Sequence, residues 1–275
     1  MVSPHRAAER GTGARLRVKT EDRFAALRGL RIGCVKYLNS RPLIRAYDGP
    51  VVFEHPSALA RMLAAGALDV ALVPVFEALR DPHYLLVDGA AVASDGAVFS
   101  VFLAHHGELR DVRRIALDPA SLTSANLLRI LLAEYHGLRP DFTTDADARL
   151  LIGNQAIEFR IAQEKTGSDW RFLDLGEEWK RCTGLPFVFA LWAMQNGTPA
   201  AAADALRALR DEGTAHIADI VREDDFATPA IRERYLTQHI HFSIGSAGKS
   251  AIAKYRELLA KHALIPASAE PLRFI

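Results

Sequence analysis

Thiols are nearly missing from this chain: of 275 residues only Cys34 and Cys182 are cysteine, and no CxxC pair occurs. That scarcity excludes a disulfide framework and a thiolate zinc cage, and it fits a reducing compartment. An excess of charge of one sign is missing too. Lys plus Arg total 34 against 33 Asp plus Glu, a formal net charge of +1, so there is no broad electrostatic footprint for nucleic acid or for an anionic membrane. No apolar run reaches the roughly 18 residues of a membrane span. Residues 1–28, broken by Pro4, Gly11 and Gly13 and scattered with Arg, His and Glu, hold no apolar core of the length a secretory signal needs. They are expected to be a disordered or loosely packed extension. The rest reads as a soluble, cytoplasmic chain whose partner is a small molecule, long enough for two lobes or one large α/β unit.

From Leu30 onward short β-like runs alternate with helix-like ones, the pattern of parallel βα units. Leu30–Tyr37, Val51–Phe53 and Asp69–Val75 read as strands, with a helix opening at Pro56 and closing at Gly66. Leu85–Val92 and Ala97–Ala104 are two further apolar runs, and Ser94-Asp95-Gly96 between them reads as a chain reversal. A second, similar unit starts near Arg113, with strands at Arg113–Leu117, Leu150–Ile152 and Phe172–Gly176 and a helix from the Ser121 region to Gly137. Phe187–Met194 is an apolar run suited to carry the chain back to the first unit, and helices follow over Pro199–Arg222 and Ser250–Leu264.

Two segments concentrate hydrogen-bonding groups where such folds bind ligands. Tyr37-Leu38-Asn39-Ser40-Arg41-Pro42 follows a strand, and in open α/β sheets the ligand crevice lies outside the carboxyl ends of strands. Asn39, Ser40 and Arg41 there suit a small anion, although an ordinary turn with a solvated Arg has the same composition. Ser121-Leu122-Thr123-Ser124 sets three hydroxyls at a helix start, where the dipole and free N–H groups favour a carboxylate or phosphate. The same residues are also ordinary caps.

Taken in order, these segments together with Leu68-Asp69-Val70-Ala71-Leu72-Val73-Pro74-Val75, Ser94-Asp95-Gly96, Asp174-Leu175-Gly176-Glu177-Glu178-Trp179 and Thr183-Gly184-Leu185-Pro186-Phe187-Val188-Phe189-Ala190 carry a resemblance. The chain resembles the chorismate dehydratases of the futalosine route to menaquinone over roughly Leu30 to Ile265. The sister family that makes dihydroxynaphthoate opens with a Ser-Pro-Cys-Pro-Asn-like segment, absent here, and its catalytic histidine has no match near the cleft, His136 lying at the far end of its helix. The resemblance implies an α/β, two-lobed, type II periplasmic-binding-protein-like fold with a ligand cleft between the lobes. Lobe one would comprise residues 29–102 plus 190–275 and lobe two residues 103–189, with crossovers near Val98–Ala104 and Phe187–Met194.

The implied reaction is loss of water from chorismate to give 3-[(1-carboxyvinyl)oxy]benzoate. It needs orientation of two carboxylates, a base for the ring C3 proton and help for the departing hydroxide. No metal is needed in principle and no cofactor is expected. Asn39 and Ser100 are the implied catalytic residues, with Ser100 near the reacting carbons. Ser40, Arg41, Ser121, Thr123, Ser124 and Asn154 are the implied substrate-binding ones. None is a competent base at neutral pH, so the enolpyruvyl carboxylate of chorismate itself is expected to take the proton, with Asn39 fixing its geometry. Two positions depart from the family pattern: Asn154 stands in Gly153-Asn154-Gln155-Ala156 where an Asp is commoner, and Lys36 stands where a small polar residue is commoner. A reading from another class is a non-catalytic cytosolic binding module that closes on an aromatic or cyclic carboxylate. His239 and His241 would share a face of a strand, but no third metal ligand accompanies them, and Cys182 near Trp179 reads as packing.

Overall fold

The computed structural model describes residues 23–81, 83–268 and 270–275. Its elements follow the apolar runs and the Gly, Pro and polar turns that bound them. In chain order they are β1 (Ile32–Cys34), α1 (Arg41–Ile44), β2 (Val51–Phe53), α2 (Pro56–Ala64), β3 (Val70–Pro74), α3 (Val75–Arg80), β4 (Leu85–Ser94) and β5 (Val101–His105). They continue with β6 (Arg114–Ala116), α4 (Thr123–Ile130), β7 (Asp141–Phe142), β8 (Ala148–Ile152), α5 (Gly153–Thr166), β9 (Arg171–Asp174) and α6 (Leu175–Thr183). β10 (Phe187–Met194), α7 (Ala201–Ala215), α8 (Ile217–Glu223), α9 (Pro229–Arg234), α10 (Ser246–Lys261) and β11 (Arg273–Phe274) complete the chain.

Among the described residues the strands form two sheets, ordered β11-β4-β10-β3-β1-β2 and β7-β6-β8-β5-β9. Each is mainly parallel with one antiparallel insertion. β10 runs antiparallel to both β3 and β4, and β5 runs antiparallel to both β8 and β9. The continuous burial of Val70–Pro74 and Val101–His105 reflects helices on both faces, which is why these strands read as unbroken apolar runs rather than alternating ones. α2, α3, α7 and α10 cover the first sheet, while α5 and α6 cover the second.

Two expectations are corrected here. Ser94-Asp95-Gly96 does not reverse the chain into a hairpin; β4 ends at Ser94 in the first sheet and β5 begins at Val101 in the second. Phe187–Met194 is not a crossover but an interior strand of the first sheet, so the return crossing lies before Phe187. Part of the expected extension is packed as well. Leu27 is fully buried in the 3-10 turn Ala25–Leu27, and Tyr47 Oη donates to its carbonyl at 3.1 Å; residues 1–22 lie outside the described part. Among the described residues no helix is long and apolar enough to cross a membrane.

The outgoing crossing, Asp95–Ser100, is held by one buried carboxylate. Asp174 accepts the N–H groups of Val98 (3.0 Å) and Phe99 (2.7 Å) from the crossing, and those of Gly176 (3.0 Å) and Glu177 (3.1 Å) as the N-cap of α6. Burial raises this carboxyl, while the backbone donors and Arg160 act in the opposite direction. Gly176 is required at that junction: a Cβ there would sit 2.5 Å from both the Gly96 carbonyl and Ser94 Oγ. Phe99 holds φ at +66°, a conformation disfavoured for a bulky residue. Its ring is fixed by stacking on His239 at 5.1 Å and by the guanidinium groups of Arg160 (4.6 Å) and Arg234 (4.8 Å).

Removing the carboxylate strands three buried N–H groups and the half-buried one of Glu177, and a buried one costs about 1–3 kcal/mol when left unpaired. Asp174→Ala is therefore expected to lower unfolding stability by roughly 3 kcal/mol or more, and Asp174→Asn, which keeps one acceptor oxygen, by less. Urea denaturation followed by circular dichroism checks this; an unchanged midpoint in Asp174→Ala would remove the carboxylate from its structural role.

Candidate active site

A cleft lies between the two sheets and takes its lining from both, a place where small-molecule sites recur. The first sheet's side contributes Val35, Leu72, Val92 and Phe189, the second Val101 and Ile152, so the walls are apolar. Polar groups come from two places: Tyr37 and Asn39 in the segment after β1, and Ser121, Thr123 and Ser124 at the start of α4. Among the described residues no Asp, Glu, His, Lys or Arg lines this cavity. An anion inside would have to be held by hydroxyls, amides and backbone N–H groups.

The α4 terminus supplies such groups. No side chain caps this helix, and its first-turn N–H groups have no intrahelical acceptor. Ser121 Oγ is buried with no hydrogen-bond partner, which is costly unless a ligand completes it. Ser124 is also buried at the cavity wall. Thr123 differs: its Oγ1 accepts the Phe76 N–H at 3.2 Å and donates to the Phe189 carbonyl at 3.2 Å, while its own carbonyl takes Tyr255 Oη–H at 2.9 Å. Its hydroxyl ties α4 to the first sheet and is not free for a ligand.

The segment after β1 is held with equal care. Ser40 Oγ, fully buried, bonds the carbonyls of Val35 (2.6 Å) and Tyr37 (2.8 Å), and Arg41 Nε pairs with Asp224 at 3.1 Å. Neither residue lines the cavity; both shape the turn, the role that Ser and Arg in such a turn can fill without a ligand. Asn154 Oδ1, at the start of α5, accepts the Leu38 N–H at 3.1 Å and so bridges the two sheets' elements rather than facing the cavity. Lys36 is exposed. Asn39 does reach the cavity, and its Nδ2 donates to Tyr235 Oη at 3.1 Å; the Tyr235 hydroxyl donates to Ser100 Oγ at 2.7 Å. Ser100 is wholly buried beside the wall residue Val101, and its carbonyl takes the Gly153 N–H at 2.8 Å.

Outside the cavity a wider, open vestibule shares Tyr37 and Ala120 with it. Exposed Arg61 of α2 and Arg149 of β8 line this mouth together with the carboxylates of Glu54 and Asp118, so its charges are of both signs. Tyr37 stands between the two spaces. Its ring packs on Gly153, whose φ of +66° and closeness to that ring (a Cβ would lie 3.0 Å away) both call for glycine. Burial, with the neighbouring Asp118 carboxylate, pushes the Tyr37 phenol up to about 12. Asp118 is held by the Ala120 N–H at 2.8 Å and by Gln155 Nε2.

Other chemistry is absent from the wall. Cys34 is buried and pushed up to about 12 by that burial, and Cys182, raised to about 11 by burial and by Glu178, sits away from the cavity; neither is an activated nucleophile. His239 bonds the Ala97 carbonyl and stacks on Phe99, so it is a packing residue. Among the described residues no group of three or more His, Cys, Asp or Glu could hold a metal. The residue that sequence reasoning missed is Tyr235, which lies 196 positions from Asn39 and has no local motif around it.

Comparison with known proteins gives the arrangement a context. A sequence profile of the family described as menaquinone biosynthesis matches residues 30–261. Chorismate dehydratase of Thermus thermophilus is 32% identical over 219 residues, which cover 70% of this chain and 80% of that protein. Among solved structures, a protein of Archaeoglobus fulgidus superposes with a TM-score of 0.67 at 17% identity, covering 86% of this chain and 98% of that one. A Candida albicans protein described as having the generic periplasmic-binding-protein fold gives a TM-score of 0.57 at 12% identity, covering 87% and 91%. At such identities the structural likenesses establish the fold, a two-lobed one.

The two serine and threonine hydroxyls at α4 are separable by stability. Ser121→Ala removes an unpaired buried hydroxyl and is expected to leave the urea midpoint unchanged or slightly raised. Thr123→Val strands the Phe76 N–H and is expected to cost about 1–2 kcal/mol. Equal losses in both variants would mean that Ser121 is paired within the protein.

Proposed function

The chain belongs to the menaquinone-biosynthesis family, and on that premise we propose that it is a lyase dehydrating chorismate to 3-[(1-carboxyvinyl)oxy]benzoate in the futalosine route. The observation that carries the mechanism is a cavity with apolar walls, hydrogen-bonding ends and no ionisable base. In this reaction the ring C3–H and C4–OH bonds break, the ring becomes aromatic, and proton and hydroxide leave as one water. Much of the driving force therefore resides in the substrate, and the protein's part is orientation and stabilisation of developing charge.

Ser121 Oγ, Ser124 and the first-turn N–H groups of α4 bind one carboxylate, with the helix dipole adding about 0.3–1 kcal/mol. Asn39 holds the enolpyruvyl carboxylate from the opposite side of the cavity. That carboxylate takes the C3 proton, since among the described residues no Asp, Glu or His lines the wall. Ser100 acts near the reacting carbons. Ser40, Arg41, Asn154 and Thr123 fix the walls through their contacts within the protein. Asn154 in place of the commoner Asp is compatible with this role, because its Oδ1 serves as acceptor for a backbone N–H, a task either side chain performs.

Purified protein mixed with chorismate is expected to bleach its diene absorbance and to yield a product lighter by one water. Binding without turnover would favour a cytosolic module for cyclic carboxylates instead. Asn39→Ala is expected to reduce kcat by about two orders of magnitude, the scale of losing one oriented charge-stabilising donor; full turnover in that variant would end its assignment. Because the base is a substrate carboxylate, kcat is expected to show no inflection between about pH 6 and 8. A limb in that interval would point to a histidine instead.

A further inference from the structure

Tyr235 opens a π-helical turn, Tyr235–His239, that follows α9 and closes with the Ile240 N–H on the Tyr235 carbonyl at 3.2 Å. Such wide turns are rare and recur at functional sites. The effect here is to deliver a phenol, 1% exposed, to the seam between the two sheets, where it bonds Asn39 at 3.1 Å and Ser100 at 2.7 Å. These partners come from different sheets' approaches, Asn39 from the end of β1 and Ser100 from the crossing that leads into β5.

The polarity of this chain of bonds follows from proton counting. A phenol has one proton, and a primary amide has two N–H donors and a carbonyl acceptor. With the phenol proton on Ser100 Oγ, the phenol oxygen can only accept, so the Asn39 amide must turn Nδ2 towards it. The second amide hydrogen and Oδ1 are left for a ligand in the cavity that Asn39 lines. Ser100, accepting from Tyr235, keeps its own proton for another acceptor. Burial holds the phenol well above its ordinary range, so it stays a donor at any working pH.

We propose that Tyr235 is a positioning residue for the dehydration: through two hydrogen bonds it fixes the orientation of the Asn39 amide and leaves the Ser100 hydroxyl proton free to be donated. The proposal rests on the chorismate reading above and assigns that site one further working part. A buried hydroxyl alone does not make such a part, and Tyr84 provides the contrast. Its buried hydroxyl has no partner, and it lies outside the cavity wall.

The test is Tyr235→Phe, with Tyr84→Phe as control, using the full chain and chorismate. Tyr235→Phe is expected to lower kcat about tenfold or more while KM stays within about threefold. In an Asn39→Ala background the same substitution is expected to have a smaller effect, since a residue acting through Asn39 has less to act on. Asn39 side-chain amide protons, assigned by their loss in Asn39→Ala, are expected to exchange faster in Tyr235→Phe. Tyr84→Phe is expected to match the unsubstituted protein in kcat and KM. If Tyr235→Phe folds and retains full kcat, the positioning role is overturned and the dehydratase reading stands; if its loss is undiminished in the Asn39→Ala background, the part of that role exerted through Asn39 is overturned. If the unsubstituted protein does not turn over chorismate, the dehydratase reading fails first and the role of Tyr235 falls with it.

Discussion

The two halves of this molecule are organised around one carboxylate. Asp174 caps α6 and, with the same two oxygens, holds the backbone of Val98 and Phe99 where the chain leaves the first sheet. Because that crossing includes Ser100 and leads directly into Val101, the position of both relative to Asn39 is set by a group that touches neither. The strained Phe99 backbone shows what the contact must overcome. A left-handed phenylalanine persists because the carboxylate, two guanidinium groups and a histidine ring all hold it in place.

The cavity then poses an electrostatic problem with an economical answer. A dicarboxylate brought into apolar walls loses hydration, and no cation inside replaces it. On the dehydratase reading, oriented amides, hydroxyls and a helix terminus take that part, and because they are already ordered by the protein they need little rearrangement as charge moves. Arg61 and Arg149 lie outside with Glu54 and Asp118, so charges of both signs are kept to the mouth and neutral donors to the interior.

How much of this the sequence displays depends on distance along the chain. Strands such as Val51–Phe53 and Val70–Pro74 and the helix opening at Pro56 are legible because their signals are local: apolar runs, a proline at the first turn, a glycine after the last. Asn39, Ser121 and Ser124 are legible as polar groups of the cavity lining for the same reason. Ser40 and Arg41 mislead, since a serine closing a turn and an arginine meeting Asp224, 183 residues away, carry no mark distinguishing them from ligand-binding groups. Ser94-Asp95-Gly96 has the composition of a reversal, but the partners that make it a crossing, Asp174 and His239, are remote. Tyr235 is invisible for a related reason, its role being created by two contacts from other parts of the fold.

The pattern of strand insertion bears on the order in which the molecule can be assembled during synthesis. Every strand of the second sheet lies between Val101 and Asp174, so that sheet is available as one continuous stretch. The first sheet is not: β3 and β4 have no contact with each other until β10, emerging about a hundred residues later, slides between them. The amino-terminal βα units must therefore wait, with their apolar strands exposed, for a partner made after the second sheet is complete, a delay that favours slow folding and a need for protection. The cavity, whose wall includes Phe189 and Ala190 of that same late strand, is complete only once β10 is in place.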